Sequence, residues 1–501
     1  MAPSVETRHG RLEGFAESGL EVFLGIPYAA PPVGRRRFRP PEAPEPWAGV
    51  REAKRFGFSA PQAAMDLGTM MPGFDVGPQH EDCLYLNVYA PASDGAKRPV
   101  MVWIHGGAFS LGSASQKMYD VRPLARAGVV VVTINYRLGA LGYLYLAGLD
   151  SSLDTSGCSG ILDQVAALEW VRDNIAAFGG DPEAVTLFGE SAGGMSVGTL
   201  MGTPRARGLF QRAIPQSGAC HTVVTAGTAN EVTSAFLSEL GVSPDDLDRL
   251  WEAPVDSILK AQRQCVERLR MPVRLRALVP VVDGVTLEQR PIDAVRSGLS
   301  ADVRVIVGAC RDEERLFTLW DPEAQSLDEA GVVARLEKRQ PGHGARLVDA
   351  YRRARGADPS PYEIYSSIET DRVYRMPAVR LAEAQSAHQP GSWAYLVTWE
   401  AQAMGGRLGA CHGVDLPFVM GAVGSKAAGV FAGSGPEAER LQHEMMGAWL
   451  AFARGGDPSH ERLCEWPAYD TEQRATMFFG ADTHVEAAPF EAERRAWEGV
   501  L

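Results

Sequence analysis

A serine set between glycines is the residue of this chain best suited to nucleophilic chemistry. Ser191 lies in a Gly-Glu-Ser-Ala-Gly sequence at 189–193, after a β-prone run at 184–188 and before a small-residue segment at 192–200 that can start a helix. Where a chain reverses sharply from strand to helix, large side chains two residues before and after the serine would collide with the backbone. With 53 glycines in 501 residues the motif alone is weak, but its place between a strand and a helix predicts a nucleophile elbow.

A serine hydroxyl is a poor nucleophile at neutral pH, so the elbow needs partners. These are a base, an acid that orients the base, and N–H donors for the developing oxyanion. A His-Gly-Gly sequence at 105–107 follows the apolar run 99–104, and its glycines let backbone N–H groups converge without steric cost. The expected oxyanion hole consists of Gly106, Gly107 and Ala192, the residue after the serine; an ordinary tight loop is the alternative for the glycine pair.

The acid and the base are expected after the serine, in that order. The apolar run at 303–307 leads into Arg-Asp-Glu-Glu-Arg at 311–315, where three adjacent carboxylates at 312–314 compete for the role of acid. Residue type and spacing do not choose among them, and a solvated charge cluster is the alternative. His412 is the best candidate base, because it follows both the acids and the run 393–398 in a loop flanked by small residues.

Apolar, β-branched runs alternate with amphipathic helical stretches along the chain. This alternation predicts an α/β fold with a central, mostly parallel sheet covered by helices on both faces. Active-site residues of such sheets lie at the carboxyl ends of the strands, and each motif above follows the end of a predicted strand. One domain spanning 1–501 is expected, with the helical region 223–269 as an insertion over the active site. The runs lie at 99–104, 129–134, 185–188, 303–307 and 393–398, and the clearest helical stretches at 161–178 and 438–453.

The composition is that of a soluble globular protein, with 45% hydrophobic and 22% charged residues. A net charge of −13 argues against nucleic acid as a partner, because binding phosphates needs a basic surface. No apolar run of about 18 residues and no leader-like pattern occurs, so no membrane partner and a cytoplasmic location are expected.

Metal and disulfide chemistry are not indicated. The seven cysteines are an odd number without a Cys-x-x-Cys pair, so reduced thiols that pack as small core residues are expected. None of the ten histidines lies at ligand spacing from another histidine or a cysteine. No metal and no cofactor is therefore predicted.

Several further motifs occur in order along the chain. They are Phe-Leu-Gly-Ile-Pro-Tyr-Ala at 23–29, Pro-Pro-Val-Gly at 31–34, Glu-Asp-Cys-Leu-Tyr-Leu-Asn at 81–87, Phe-Gly-Gly-Asp-Pro at 178–182, Gln-Ser-Gly at 216–218 and Pro-Val-Val-Asp-Gly at 280–284. Together with the elbow, this set resembles the type-B carboxylesterases, the family of cholinesterases and bacterial para-nitrobenzyl esterases, over nearly the whole chain. The resemblance implies the α/β-hydrolase fold.

The resemblance also implies roles for single residues. Glu313 would be the acid that orients His412, and Ser217 a hydroxyl near the triad. Arg37 and Glu81 are similar to a family salt bridge that anchors the loop between them. The implied substrate pocket includes residues of the 60–80 loop and of later segments, namely Met70, Met71, Phe109, Leu278, Leu316 and Phe317.

The chain departs from the family pattern beside the acid. Glu314 and Arg315 follow Glu313, where the family usually has a glycine and a small residue. A second carboxylate adds like-charge repulsion, so we expect Arg311 or Arg315 to offset it with an ion pair. Cys83 has no upstream partner for the disulfide of eukaryotic relatives.

These features predict a metal-independent serine carboxylesterase, monomeric or a small homo-oligomer, with a small-molecule ester as its partner. Short- to medium-chain and aromatic esters would react through an acyl-Ser191 intermediate. One alternative is a specialised hydrolase of carbamates, amides or natural-product esters with anionic acyl groups. The candidate partners for such anions are Arg274, Arg276, Arg311 and Arg315. The other alternative is a binding protein of the same fold, but such proteins typically lose the nucleophile, which this chain retains.

Overall fold

Strands and helices alternate through most of the chain, as the sequence predicts. The computed structural model describes residues 2–63, 75–269, 277–356, 358–426, 428–429 and 431–500. Its strands are β1 (Ser4–Thr7), β2 (Gly10–Glu13), β3 (Phe15–Glu17), β4 (Leu20–Pro27), β5 (Val50–Glu52), β6 (Tyr85–Pro91), β7 (Arg98–Ile104), β8 (Val130–Ile134), β9 (Gly180–Glu190), β10 (Arg212–Gln216), β11 (Val224–Thr225), β12 (Val281–Val282), β13 (Arg304–Cys310), β14 (Ser392–Val397), β15 (Thr476–Phe479) and β16 (His484–Glu486). Its α-helices are Arg122–Arg126, Gly139–Tyr143, Ser159–Asn174, Ala192–Met201, Ala226–Leu240, Asp248–Glu252, Val255–Arg268, Pro291–Arg296, Arg315–Thr318, Pro322–Gln325, Glu329–Glu337, Gly344–Arg355, Pro361–Thr370, Met376–Ser386, Leu416–Val419, Pro436–Gly455 and Glu491–Ala496.

One large sheet forms the centre of the fold. Its strand order among the described residues is β16-β15-β14-β13-β10-β9-β7-β8-β6-β4-β3. The strands from β15 to β8 in this order are parallel to their neighbours. The strands outside this block pair antiparallel. Parallel neighbours need crossover connections, which the helices supply. The predicted α/β fold with a mostly parallel sheet is confirmed.

The parallel block brings the ends of several strands to one edge of the sheet. Ile104, which ends β7, pairs with Gly189 in β9. Gln216, which ends β10, pairs with Glu190 on one side and with Gly308 in β13 on the other. Because carboxyl ends of parallel strands meet at the same edge, the segments that follow them are neighbours in space. The glycine loop, the serine turn and the acidic segment therefore lie close together.

Helices cover both faces of the sheet. Successive side chains of a strand point to opposite faces, so Val100 and Val102 of β7 belong to one core cluster and Met101 and Trp103 to another. Burial on both faces explains why the central strands are continuous apolar runs rather than alternating ones. The helices over the first face include Ser159–Asn174 and Ala192–Met201, and those over the second include Pro436–Gly455.

The region 223–269 contains the short strand β11 and the helices Ala226–Leu240, Asp248–Glu252 and Val255–Arg268, and Arg37 connects it to the rest of the chain. The Arg37 guanidinium forms two hydrogen bonds of 2.6 Å with the Glu81 carboxylate. It also donates to the backbone oxygens of Trp251 and Ala253, each at 2.7 Å. The expected ion pair between Arg37 and Glu81 is thus present, and the same guanidinium holds the helical region in place.

All seven cysteines are free thiols, and six of them are buried. The prediction that most pack as small core residues is confirmed. Cys464 is the exposed one, and Cys83 is held in the core without a disulfide. Within the described ranges, no helix combines the length and the apolar character that a bilayer crossing needs, and no cluster of three or more His, Cys, Asp or Glu residues is arranged to hold a metal ion.

Arg137 and Asp163 form a buried ion pair that joins the segment after β8 to the helix Ser159–Asn174. Their side chains are 3% and 0% exposed. Asp163 accepts the backbone N–H of Arg137 at 3.0 Å and its guanidinium at 2.8 and 2.6 Å. Three hydrogen bonds on one carboxylate compensate for its removal from water.

We expect Asp163→Ala to lower the free energy of unfolding by about 4 kcal/mol, because it leaves a buried guanidinium without its counter-charge. Glu169→Ala is the control, since it removes a partly exposed pair with Arg205 and should cost less than about 1 kcal/mol. Urea denaturation measures both values. Equal losses in the two variants would contradict the structural role of the buried pair.

Candidate active site

Ser191 lies at the sharp turn between β9 and the helix Ala192–Met201. Its φ of 59° and ψ of −125° are strained for a residue with a side chain. Two backbone hydrogen bonds hold the turn: the Ser191 N–H donates to the Gln216 oxygen at 3.0 Å, and the Met195 N–H donates to the Ser191 oxygen at 2.8 Å. The backbone therefore has the form predicted for a nucleophile elbow.

The glycines on either side of Ser191 are required by lack of space. A Cβ at Gly189 would lie 2.6 Å from the backbone oxygen of Ile104, and a Cβ at Gly193 would lie 2.1 Å from the same oxygen. Both separations are far below van der Waals contact, because the turn packs directly on the end of β7. The steric reason for the Gly-x-Ser-x-Gly spacing is confirmed.

The glycine loop after β7 turns beside Ser191. A Cβ at Gly106 would lie 3.1 Å from the Cβ of Ser191. Gly107, Ala108 and Phe109 follow with φ values of 107°, 56° and 59°. Such a run of positive φ values is unusual outside glycine and changes the direction of successive N–H groups. The loop is thus close enough to place backbone donors near the serine.

Glu313 and His412 are in direct contact. Nδ1 of His412 lies 2.5 Å from Oε2 of Glu313, and the other carboxylate oxygen accepts the Cys310 N–H at 2.7 Å. Both side chains are buried. A carboxylate that accepts the Nδ1 proton fixes the imidazole tautomer and leaves Nε2 able to accept a proton. Of the three adjacent carboxylates, Glu313 is the one that contacts the histidine.

Glu190 is a second carboxylate beside His412. Its Oε1 lies 3.1 Å from Nε2 of the imidazole. Burial raises the pKa of Glu190 to about 8, against the lowering effect of the His412 charge. For His412, burial lowers the pKa, but the charges of Glu190 and Glu313 outweigh it and raise the pKa to about 9. The two groups therefore titrate as a pair near the pH at which a catalytic base must work.

Gln216, at the end of β10, connects the serine turn to the loop that carries His412. Its backbone oxygen accepts the Ser191 N–H, and its Nε2 donates to Oδ2 of Asp415 at 2.6 Å. Its Oε1 accepts the indole N–H of Trp449 at 3.1 Å, which fixes the orientation of the amide. Gln216 and Asp415 are both 0% exposed. A single buried side chain therefore sets the separation of the two loops.

Ser217 contacts Cys310, whose backbone N–H binds Glu313. Its N–H donates to the Gly308 oxygen at 2.9 Å, and its hydroxyl lies 3.9 Å from Sγ of Cys310. Since the Cys310 N–H is bound to Glu313, Ser217 contributes to the wall that holds the carboxylate.

The arginines next to the acid pair with Asp312. Arg311 lies 2.8 Å from Asp312 and 2.7 Å from Glu400, and Arg315 lies 3.6 Å from Asp312. The expected ion pair forms, but on the first of the three carboxylates rather than beside the acid. The reason is the direction of the turn after β13, which sends Asp312 toward the Ala410 N–H, at 3.0 Å, and Glu313 inward.

Two aromatic rings flank His412. The ring of Phe317 lies 5.1 Å away and that of Tyr374 4.9 Å away, centroid to centroid. Phe317 is exposed, whereas Tyr374 is buried. The sequence predicts Phe317 as a pocket residue but neither Tyr374 nor Glu190. Glu190 could have been predicted, because it directly precedes the serine, whereas Tyr374 lies in a π-helical turn, Asp371–Arg375, for which the sequence contains no motif.

The other residues predicted for the pocket have different surroundings. Leu316 is half-buried beside Phe317. Phe109 and Leu278 are buried in the core, Phe109 with its ring 5.2 Å from that of Tyr143. The remaining candidates lie outside the described residues, and they are Met70, Met71, Arg274 and Arg276.

Comparison with known proteins decides the family. The profile of the carboxylesterase family matches residues 1–497. The chain belongs to this family. Like its relatives, this carboxylesterase has the α/β-hydrolase fold and hydrolyses carboxylic esters.

The similarity of this carboxylesterase to its relatives spans nearly the full length of both partners. It is 38% identical to the para-nitrobenzyl esterase of Bacillus subtilis (strain 168), over 98% of this chain and 97% of the relative. It is 35% identical to the phenmedipham hydrolase of Pseudarthrobacter oxydans, over 97% and 96%. The crystal structure of the Geobacillus stearothermophilus carboxylesterase EST55 at pH 6.2 matches with a TM-score of 0.89 and 41% identity, over 99% of both chains.

We expect Gln216→Leu in this carboxylesterase to lower kcat about 10- to 100-fold with a smaller effect on KM, because it removes the bridge between the serine turn and the His412 loop. Steady-state kinetics measures the change. Gln385→Leu is the control: it removes an equally buried amide that donates to Ser300 and Val303 at 2.7 and 2.6 Å, so it should lower stability and leave kcat unchanged.

A reciprocal variant separates positioning from general destabilisation. Gln216→Glu combined with Asp415→Asn exchanges the amide and the carboxylate and keeps a donor facing an acceptor. We expect it to recover most of the lost kcat. Normal kcat in a folded Gln216→Leu enzyme would exclude the bridge.

Proposed function

We propose that the enzyme is a serine carboxylesterase with the triad Ser191, Glu313 and His412. The observation that carries the proposal is the 2.5 Å contact between Nδ1 of His412 and Glu313. The loop of His412 is tied to the Ser191 turn through Gln216, which supports a shared site. A base, its orienting acid and a serine on a strained turn are the parts that acyl transfer requires.

The proposed reaction has two halves. His412 takes the hydroxyl proton as the Ser191 oxygen attacks the ester carbonyl carbon, and the tetrahedral intermediate collapses when the imidazole gives that proton to the leaving alcohol. Water, deprotonated by the same imidazole, then attacks the acyl-Ser191 ester and releases the carboxylic acid and the free serine. In both halves Glu313 stabilises the imidazolium that forms.

Backbone N–H groups of the glycine loop and of Ala192 are the proposed oxyanion donors. Gly106, Gly107 and Ala192 are the predicted residues, and a Cβ at Gly106 would lie 3.1 Å from the Cβ of Ser191, so the loop passes directly beside the serine. Ala108 follows with a φ of 56°, which also turns its N–H group away from a regular direction and makes it a further candidate donor.

Short- to medium-chain and aromatic esters are the proposed substrates. The exposed ring of Phe317 beside His412 supports this range, because an aromatic surface next to the reacting group favours apolar substituents. A full-length relative named para-nitrobenzyl esterase supports it as well.

A specialised hydrolase is the second candidate, favoured by the full-length relative named phenmedipham hydrolase. Two of the arginines proposed to bind anionic acyl groups, Arg311 and Arg315, pair with Asp312 instead. This pairing weakens the proposal that the enzyme acts on anionic esters. A kinetic comparison of neutral and carboxylate-bearing esters decides between the candidates, since faster turnover of the charged set would require cationic side chains at the pocket.

We also propose that the whole chain is one domain in which the helices of 223–269 roof the active site. The Ala140 N–H donates to Oε1 of Gln262 at 2.8 Å, which ties the last of these helices to the segment after β8. The free state of all seven thiols supports a reducing, cytoplasmic location. A monomer or small homo-oligomer remains the proposed state.

We expect the enzyme to hydrolyse a para-nitrophenyl acyl series with an optimum at short to medium chain length. Ser191→Ala should lower kcat for every ester about ten-thousandfold or more, because it removes the atom that becomes acylated. Release of para-nitrophenol, followed from the C2 to the C12 ester, measures both. Substantial activity in a folded Ser191→Ala enzyme would rule out the acyl-serine route.

We expect Glu190→Gln to move the acid limb of the kcat/KM profile to lower pH by about one unit. The base works in its neutral form, and the Glu190 charge raises the pKa of His412, so removing that charge lowers the pKa at which the base becomes active. The pH dependence of kcat/KM from about pH 6 to about pH 11 measures the shift, because the range has to include the His412 pKa of about 9. Glu400→Gln, an exposed carboxylate paired with Arg311, is the control and should leave the limb in place; a shift to higher pH in Glu190→Gln would contradict the pairing.

A further inference from the structure

A cavity lies beside the loops that carry the proposed catalytic groups. Its volume is about 580 Å³, within the size range of small-molecule sites. The triad candidates Ser191, Glu313 and His412 are not among its lining residues in the described part of the chain. Its described wall comes from β3 and β4, from Phe56 and Tyr89, from residues 114–120, 122 and 123 after the glycine loop, and from residues 416, 417, 421–423, 425, 428 and 431 after His412.

The lining of this cavity is aromatic and aliphatic, with balanced charges at its rim. Arg122 is paired with Asp120 at 2.7 Å and with Glu17 at 3.1 Å. Lys117 is the other basic residue among the described lining residues, so their two acidic and two basic groups balance. Phe56, which lines the cavity, is 44% exposed. The chemistry fits an uncharged aromatic molecule rather than an ion. The aromatic lining residues are Phe15, Phe56, Tyr89, Tyr119 and Phe431.

Two wall residues connect the cavity to the segments that carry the proposed catalytic groups. Tyr119 lines the cavity, and its ring lies 5.1 Å, centroid to centroid, from that of Trp103 near the end of β7, where the glycine loop begins. Leu416 lines it as well, and a Cβ at Gly413 would lie 3.5 Å from Leu416 and 3.8 Å from Oε1 of Glu190. A ligand that displaces either residue would therefore press on the glycine loop or on the loop of His412.

We propose that this cavity is a second ligand site, which binds an uncharged aromatic molecule and changes the turnover rate through Tyr119 and Leu416. Binding at the site does not depend on the triad. Its effect on turnover acts on the two loops that hold the oxyanion donors and the base, and so rests on the proposed function.

Calorimetric titration of 2-naphthol into the full-length Ser191→Ala protein tests binding without turnover. We expect saturable binding that Phe56→Ala weakens about fivefold or more, because it removes one aromatic wall. Phe58→Ala is the matched control: Phe58 is 43% exposed but does not line the cavity, so its loss should leave the affinity unchanged. Ala422→Trp, which fills the cavity from a partly exposed position, should abolish binding. Absence of saturable binding, or equal affinity in all variants, would overturn the proposal.

Kinetics of the wild-type enzyme tests the coupling. With para-nitrophenyl acetate as substrate, 2-naphthol should change kcat at least twofold while KM stays nearly constant, and the Ala422→Trp enzyme should not respond. A change in KM alone would place 2-naphthol in the catalytic site and overturn the proposal. Failure of the proposed triad would appear as full activity in Ser191→Ala, an outcome that leaves the binding measurements valid.

Discussion

The buried amide of Gln216 connects the two loops of the proposed active site. Ser191 directly follows β9 and His412 lies in a loop after β14, so the two residues belong to separate segments of the chain. Gln216 accepts the Ser191 N–H with its backbone and binds Asp415 with its side chain. A glutamine suits this position because Asp415 needs a donor while the Trp449 indole needs an acceptor. Leaving either group unpaired in the core would cost about 1–3 kcal/mol, so the amide is held in one orientation.

The strained backbone conformation of Ser191 depends on the contacts that Gln216 and its neighbours make. A backbone conformation of this kind costs about 1–3 kcal/mol and persists only where the surroundings determine it. Here the carbonyl of Gln216 holds the N–H of the serine, and close packing of Gly189 and Gly193 on Ile104 holds the turn from behind. The conformational free energy that the turn costs is offset by these packing and hydrogen-bond contacts with the sheet. The hydroxyl is thereby presented at the edge of the sheet instead of being folded into the core.

The sequence predicts those features of the fold and the site that follow from a repeating hydrophobic pattern or from a steric requirement. Strands buried on both faces are long apolar runs. The elbow spacing has a steric cause, because a Cβ at Gly189 or Gly193 would lie less than 3 Å from the backbone oxygen of Ile104. The short edge strand β16 (His484–Glu486) lacks such a run and was not predicted. Residue types alone also do not identify the carboxylate that binds His412, because Asp312, Glu313 and Glu314 are chemically alike. They differ only in the direction in which their side chains point from the turn after β13. The contact between Gln216 and Asp415 joins residues far apart in the chain, so no local pattern encodes it.

The carboxylates around His412 can stabilise the positive charge that the imidazole acquires in the proposed reaction. Glu190, Glu313 and Asp415 are all buried within reach of one imidazole, and three uncompensated negative charges there would be costly. Burial raises the pKa of Glu190 to about 8, so this carboxylate is mostly protonated at neutral pH and the cluster carries less charge than its composition suggests, whereas Asp415, with its pKa raised to about 6, stays mostly ionised. In the proposed mechanism the neutral imidazole takes the serine proton, and the carboxylates around it then become partners of a cation. That interaction would be stronger in the transition state than with the neutral imidazole, which is the condition for it to accelerate the reaction.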